Sequence, residues 1–237
     1  MRISAILFVS VFLSLACKQQ MEQSAYETNS VTSPADNEAG LTYLALGDSY
    51  TIGQSVSESE RWPIILAKDL SKQNVKLRTP EIIAKTGWTT SDLLATLSNF
   101  KPAHTYDLVS LLIGVNNQYQ GHSLGDFREE FRLLLLKSIA YAGGKPSKVF
   151  VVSIPDWGVT KFGASFGPKQ IAVEIDQFNQ VAMEECAKEK VLFFNITTIT
   201  RSGFNEPSLI AFDGPHFSGK MYQLWVDSFI SQIRAKF

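Results

Sequence analysis

The chain of 237 residues is predicted to fold as an α/β protein, a three-layer α/β/α sandwich around a doubly wound parallel sheet of five strands. Three observations carry that prediction. From Leu41 onward, short apolar runs alternate with segments of helical period. Several runs are rich in Val, Ile and Phe, the composition of strands buried on both faces. A small polar cluster recurs after each run, where open α/β sheets place their ligands.

The strands are read at Leu41–Leu46, Val75–Ala84, Leu108–Ile113, Val149–Ile154 and Val191–Ile196. Pro80 falls inside the second run and cannot donate to a ladder, which demotes that strand to a sheet edge. An edge position for the second strand fits the flavodoxin-like order 2-1-3-4-5. Between the third and fourth strands, Phe127, Phe131, Leu134, Leu135 and Ile139 share one helical face behind Ser123, a cap with Asp126 three residues on. The stretch Ile171 to Lys190 reads as another helix, in which Cys186 is expected to pack. In the last helix Met221, Leu224, Trp225, Phe229 and Ile233 form the expected buried stripe, and Ser218 is placed to cap its start.

Residues 1–16 read as a signal peptide: Met1-Arg2 gives a positive start, Ile3 to Leu15 an apolar stretch, and Ser14-Leu15-Ala16 a small-residue cleavage region. The apolar run stops before Lys18-Gln19-Gln20, short of the roughly 20 residues a membrane-spanning helix needs. Cys17 directly after Ala16 resembles a bacterial lipobox cysteine, with Ser14 standing where a leucine is usual. That resemblance implies an exported protein lipid-anchored to the membrane through Cys17, plain secretion into the periplasm or medium being the alternative. Residues 17–40 then comprise the anchor cysteine and a polar, flexible tether, and 41–237 the folded domain.

Charge and cysteine content exclude several partners. With 22 basic and 23 acidic residues, the net charge of −1 leaves no footprint for nucleic acid. Two cysteines exclude a disulfide-rich scaffold and a four-cysteine metal site.

The clusters after the strands are Gly47-Asp48-Ser49-Tyr50, Gly87-Trp88-Thr89-Thr90, Gly114-Val115-Asn116-Asn117 and Pro155-Asp156-Trp157, with Asp213-Gly214-Pro215-His216 before the last helix. In this ordered set the chain resembles the SGNH or GDSL family of serine hydrolases, from Leu41 to the C-terminus. The family's serine, glycine, asparagine and histidine are matched in order by Ser49, Gly87, Asn116 and His216. The resemblance implies hydrolysis of carboxylic esters without a cofactor or metal, and an oxyanion hole made by the backbone N–H groups of Ser49 and Gly87 and the side-chain amide of Asn116.

The residue types suit that chemistry. A serine hydroxyl needs a base to take its proton, and the base needs an orienting group. His216 is the expected base, and Asp213, three residues before it, can present a carboxylate to Nδ1 while Nε2 faces Ser49. His104 precedes the third strand, at the wrong end of the sheet, and His122 follows the Asn116 loop, near enough to line substrate. Asp48 is expected to hold the turn, pointing away from the reaction. Asn117 departs from the aspartate usual in the family's third block, and Tyr50 from the leucine after its serine. Asp48, Asp156, Asp213 and His216 together are a weaker metal-site reading, since that would leave Ser49 and Asn116 idle.

For the substrate, Trp88, Tyr119, Trp157, Phe162 and Phe166 are expected beside the site, as an acyl pocket or a surface for stacking sugar rings. The segment Pro155 to Pro168 is compatible with a lid or an ordinary connection, and is read as a substrate wall. The preferred function is an exported esterase for short acyl or lipid acyl esters. A carbohydrate O-acetylesterase and a non-catalytic binding lipoprotein are the alternatives.

Overall fold

A computed structural model describes residues 31–32 and 39–237. The signal peptide, Cys17 and most of the expected tether lie outside the described residues.

The sheet has six strands: β1 (Val31–Thr32), β2 (Tyr43–Gly47), β3 (Glu81–Ala84), β4 (Leu108–Leu112), β5 (Val149–Val152) and β6 (Leu192–Phe194), in the order β1-β3-β2-β4-β5-β6. The five strands from β2 onward are parallel and reproduce the expected order 2-1-3-4-5. β1, drawn from the stretch read as tether, adds an antiparallel strand outside β3, with Val31 opposite Ile83. Pro80 stands before β3 rather than within it, so the ladder never meets the missing donor. The expected run from Val75 is shorter as a strand because Leu77 makes only an isolated bridge to Leu41.

Helices cover both faces. α1 (Ser49–Ile52) is a single turn, followed by α2 (Trp62–Ser71), α3 (Thr90–Asn99), the short α4 (Val115–Tyr119), α5 (Leu124–Tyr141), α6 (Pro168–Lys188), α7 (Thr197–Arg201) and α8 (Gly219–Arg234). α2 packs with α8, while α5 packs between α3 and α6. The Ser123 hydroxyl accepts from Asp126 N at 3.0 Å, and Ser218 caps α8 through Met221 N at 3.4 Å. Among the described residues no helix is long and apolar enough to cross a membrane.

The strands β2 and β4 are buried throughout, so their side chains face helices on both sides. Under α8 an aromatic cluster joins the layers: Phe229 packs on Trp62, Phe150 and Phe194 with ring centroids 6.4, 5.9 and 5.0 Å apart. Each such ring, fully removed from water, stabilises the fold by about 2–3 kcal/mol. Leu224 is a correction to the expected stripe: it is half-exposed, whereas Tyr222 and Val226 are buried. The other four expected positions are fully buried, and the stripe extends to the side of Tyr222, whose ring packs on Trp225 with centroids 4.9 Å apart, rather than to the side of Leu224. Cys186 is a buried free thiol, and burial pushes it up to about 12, so it stays protonated and inert.

Candidate active site

All parallel strands end on the same edge of the sheet, and their following loops converge there. The first loop is a tight turn into α1. Asp48 Oδ1 accepts the backbone N–H of Tyr50 at 3.0 Å, which starts the helix and sets Ser49 at its first position. Gly47 is required here: a Cβ on it would lie 2.2 Å from Thr51 Oγ1 and 2.4 Å from Leu112 O. Asp48 is fully buried, and its Oδ2 has no hydrogen-bond partner. Burial outweighs the help of the nearby backbone N–H groups of Tyr50, Asp48 and Gly114, pushing its carboxyl up to about 7. The side chain points into the fold and holds the turn, as expected.

The loop after β3 carries Gly87 at φ 84, a left-handed conformation that glycine adopts without strain. No atom stands within 4 Å of where a Cβ would be, so backbone conformation rather than crowding calls for glycine there. Thr89 and Asp92 then form a capping box that starts α3.

After β4, Asn116 Nδ2 donates to Trp88 O at 2.9 Å. One amide hydrogen thus fixes the side chain against the Gly87 loop, and the second is free for another acceptor. Asn117 is fully buried; its Oδ1 accepts Thr90 N at 3.0 Å and its Nδ2 donates to Thr90 Oγ1 at 2.6 Å. A carboxylate could not make the second bond to a hydroxyl whose own proton goes to Glu130, so asparagine suits this site.

The last component is a loop closed by an antiparallel bridge between Ile210 and Phe217. Within it, His216 Nδ1 stands 2.6 Å from Asp213 Oδ2, and the His216 backbone N–H donates to Asp213 Oδ1 at 3.3 Å. Ser55 Oγ donates to the same Oδ2 at 2.5 Å. Burial raises the Asp213 pKa, but the hydrogen bonds from His216 and Ser55 and the nearby imidazole outweigh it, and the carboxyl is held below its ordinary range. Ser55 has φ 67, uncommon for a residue with a side chain, and is placed so that its hydroxyl reaches Asp213. The Tyr50 ring packs edge-on against the His216 ring with centroids 5.5 Å apart.

Ser49, Gly87, Asn116 and His216 line a single cavity of about 290 Å³, with Tyr119 and Trp157 on its wall. A cavity of this size lies at the small end for ligand sites. Phe162 lines it too, and Phe166 stands behind, its ring 4.8 Å from that of Phe162. Trp157 is buried and fixed, its indole Nε1 donating to Gln118 Oε1 at 2.7 Å. Trp88 is a correction: it does not line the cavity but packs on the core, and contributes its carbonyl to Asn116. The Pro155–Pro168 segment is organised by two short 3₁₀ turns, Trp157–Val159 and Gly163–Phe166, and supplies a wall.

The remaining polar residues have other partners. His104 packs on Tyr106, centroids 5.0 Å apart, and His122 Nδ1 lies 3.4 Å from Asn117 Nδ2, outside the cavity lining. Asp156 pairs with Arg201 at 2.8 Å, and no group of three acidic, His or Cys side chains among the described residues is arranged to hold a metal ion. Thr86, Gln120 and Pro215 also line the cavity. Sequence reasoning missed Thr86, Gln120 and Ser55, and took Pro215 only as part of its cluster. Thr86 and Pro215 neighbour motif residues, whereas nothing local marks Gln120 or Ser55.

A serine and a carboxylate-oriented imidazole lining one cavity, with a glycine N–H and an asparagine amide on the same cavity, are the groups needed to attack a carbonyl and hold the resulting oxyanion. Fold and cavity together define the class as a carboxylic ester hydrolase on an α/β sheet. The chain belongs to the GDSL-like lipase/acylhydrolase family, whose model matches residues 45–224. A comparison with curated proteins finds no match. Among solved structures, the lipase/acylhydrolase from Enterococcus faecalis is similar at TM-score 0.63 and 21% identity, covering 83% of this chain and 97% of that one. The psychrotrophic esterase EstA from Pseudoalteromonas sp. is similar at TM-score 0.59 and 18% identity, covering 82% and 97%. Axe2, an acetylxylan esterase from Geobacillus stearothermophilus, is similar at TM-score 0.63 and 18% identity, covering 84% and 96%.

Proposed function

We propose that the protein is an exported serine esterase that hydrolyses carboxylic esters of short acyl groups through an acyl-Ser49 intermediate. His216 takes the Ser49 proton as Oγ attacks the carbonyl carbon, then gives it to the departing alcohol. Asp213 holds the imidazole with Nδ1–H toward the carboxylate, leaving Nε2 for these transfers. The backbone N–H groups of Ser49 and Gly87 and the Asn116 amide receive the oxyanion. Water, activated by His216, then releases the acid.

The observation that carries this reading is the shared cavity, in which Ser49, Gly87, Asn116 and His216 meet while Asp213 backs the imidazole at 2.6 Å. Its small volume supports short acyl groups. The test is hydrolysis of p-nitrophenyl esters from acetyl to long acyl, with Ser49→Ala alongside. Activity is expected to be highest on the shortest esters and to fall at least about a thousandfold in the variant. A fully active Ser49→Ala, or a wild-type protein silent on every ester, overturns the proposal.

The second reading, a carbohydrate O-acetylesterase, is favoured by Tyr119, a half-exposed aromatic side chain at the cavity wall that can stack on a sugar ring. Acetate release from acetylated glycans, without activity on longer acyl esters, selects it. Export and anchorage rest on residues 1–17, and are tested by intact mass of the membrane-extracted protein. A mature chain starting at an acylated Cys17 is expected; any other start refutes the anchor.

A further inference from the structure

A second cavity, of about 330 Å³, opens beside the catalytic one. It is lined by Val159, Phe204, Pro207, Ile210 and Phe212, with Lys161 as a charged lining residue. The two cavities divide neighbouring residues between them. Lys161 lines the second and Phe162 the first; Gly214 lines the second, Pro215 and His216 the first. A Cβ placed on Gly214 would lie 3.9 Å from Phe162 Cβ with no other neighbour within 4 Å, so Gly214 of the second cavity and Phe162 of the first face each other across a narrow gap. Two of the lining side chains are unusually exposed for their type, Phe204 at 73% and Phe212 at 91% of their surfaces. Large rings left in water around a concave apolar surface mark a place that takes an apolar ligand.

The chemistry of the first site says which part of a substrate reaches the second. The oxyanion donors at Gly87 and Asn116 fix the side on which the carbonyl oxygen lies. The leaving oxygen must face His216, which protonates it. The turn that carries His216 is the one whose preceding residues Ile210, Ala211, Phe212 and Gly214 line the second cavity. The alcohol side of the ester therefore points toward it.

We propose that this cavity is an apolar subsite for the leaving group, so that the preferred substrates pair a short acyl group with a hydrophobic alcohol of medium size. The inference rests on the esterase reading above and names its substrate class. In the step concerned, the Ser49 Oγ–acyl carbon bond forms and the bond from that carbon to the alcohol oxygen breaks. The serine proton passes through His216 to that oxygen, and the released alcohol departs past Gly214. Burial of each additional methylene against Phe204, Ile210 and Phe212 then favours the transition state.

The test measures kcat/KM for acetate esters of linear alcohols from methyl to octyl, in the wild type and in Phe204→Ser/Phe212→Ser. Both side chains are largely exposed, so the double variant is expected to fold. The octyl-to-methyl ratio should exceed about ten in the wild type and fall about tenfold in the variant. In parallel, 1-octanol is titrated into the protein and the amide resonances of Gly203, Ala211 and Gly214 are followed, with ethanol as control. They should move with octanol alone. An active enzyme with a flat ratio in both forms overturns the subsite and leaves the esterase intact. If no ester is hydrolysed, the esterase reading fails, and the octanol titration still decides the cavity: unmoved amides refute an apolar site there.

Discussion

The two halves of the site are held in opposite ways. The turn bearing Ser49 grows directly out of β2, and residues 43–53 from strand to cap are buried. The loop bearing His216 stands at the surface, with Phe212 and Asp213 exposed beside it, and is held by the Ile210–Phe217 bridge, the Ala211 N–His216 O bond at 2.9 Å and the contact to Ser55. Packing therefore positions one partner and a few polar bonds the other. Charge divides them as well. Asp48 is buried without enough partners and its pKa is raised, whereas Asp213 is paired and its pKa is lowered.

That contrast can be broken at several points. The largest effect is expected for His216→Ala, at least about a thousandfold in kcat with the protein still folded. Asn116→Ala should lose about a hundred- to thousandfold in kcat. Full activity in that variant removes Asn116 from the oxyanion site. Gly47→Ala should act on stability instead, lowering it by about 2 kcal/mol or more in urea unfolding, since the new methyl meets Thr51 and the Leu112 carbonyl.

The charge contrast is sharpened by pH. Asp48 titrates near 7 when folded and near the ordinary carboxyl value of about 4 when unfolded, so the folded state binds the extra proton between these limits. Its contribution makes stability fall as pH rises from about 4 to 7, and Asp48→Asn should flatten that slope. An unchanged slope would place the effect elsewhere. Asp213 has the opposite sign: its stabilisation is present above about 4 and is lost as pH falls through its lowered folded pKa. The smallest effect is expected for Ser55→Ala, a loss in kcat of up to about tenfold, from removing one of the hydrogen bonds that hold Asp213.

The same contrast governs what could be read in advance. Strand order, the polar clusters and the capping serines were legible because each follows from local pattern: apolar runs, a glycine before a turn, a hydroxyl before a helix. What the pattern lacked was direction across loops. Trp88 and Trp157 both follow strands, yet the first only packs, half-buried, against the core while the second is buried and lines the cavity, a choice made by tertiary contacts such as the Trp157–Gln118 bond. Leu224 failed for a related reason, since a 3.6-residue period shows where a buried stripe is centred better than which flank it extends to. Ser55 was invisible because its role depends on a left-handed backbone and a partner 158 residues away. β1 was missed because two residues in a polar stretch carry too little pattern to mark a strand.

The most direct test of the central claim is covalent trapping with a fluorophosphonate, which reacts with an activated serine as an ester does but is not released by water. Peptide mass mapping should find one equivalent on Ser49, none in Ser49→Ala, and strongly slowed labelling in His216→Ala. Hydrolysis of p-nitrophenyl acetate that continues while Ser49 stays unlabelled, or a label on another side chain, would contradict the account.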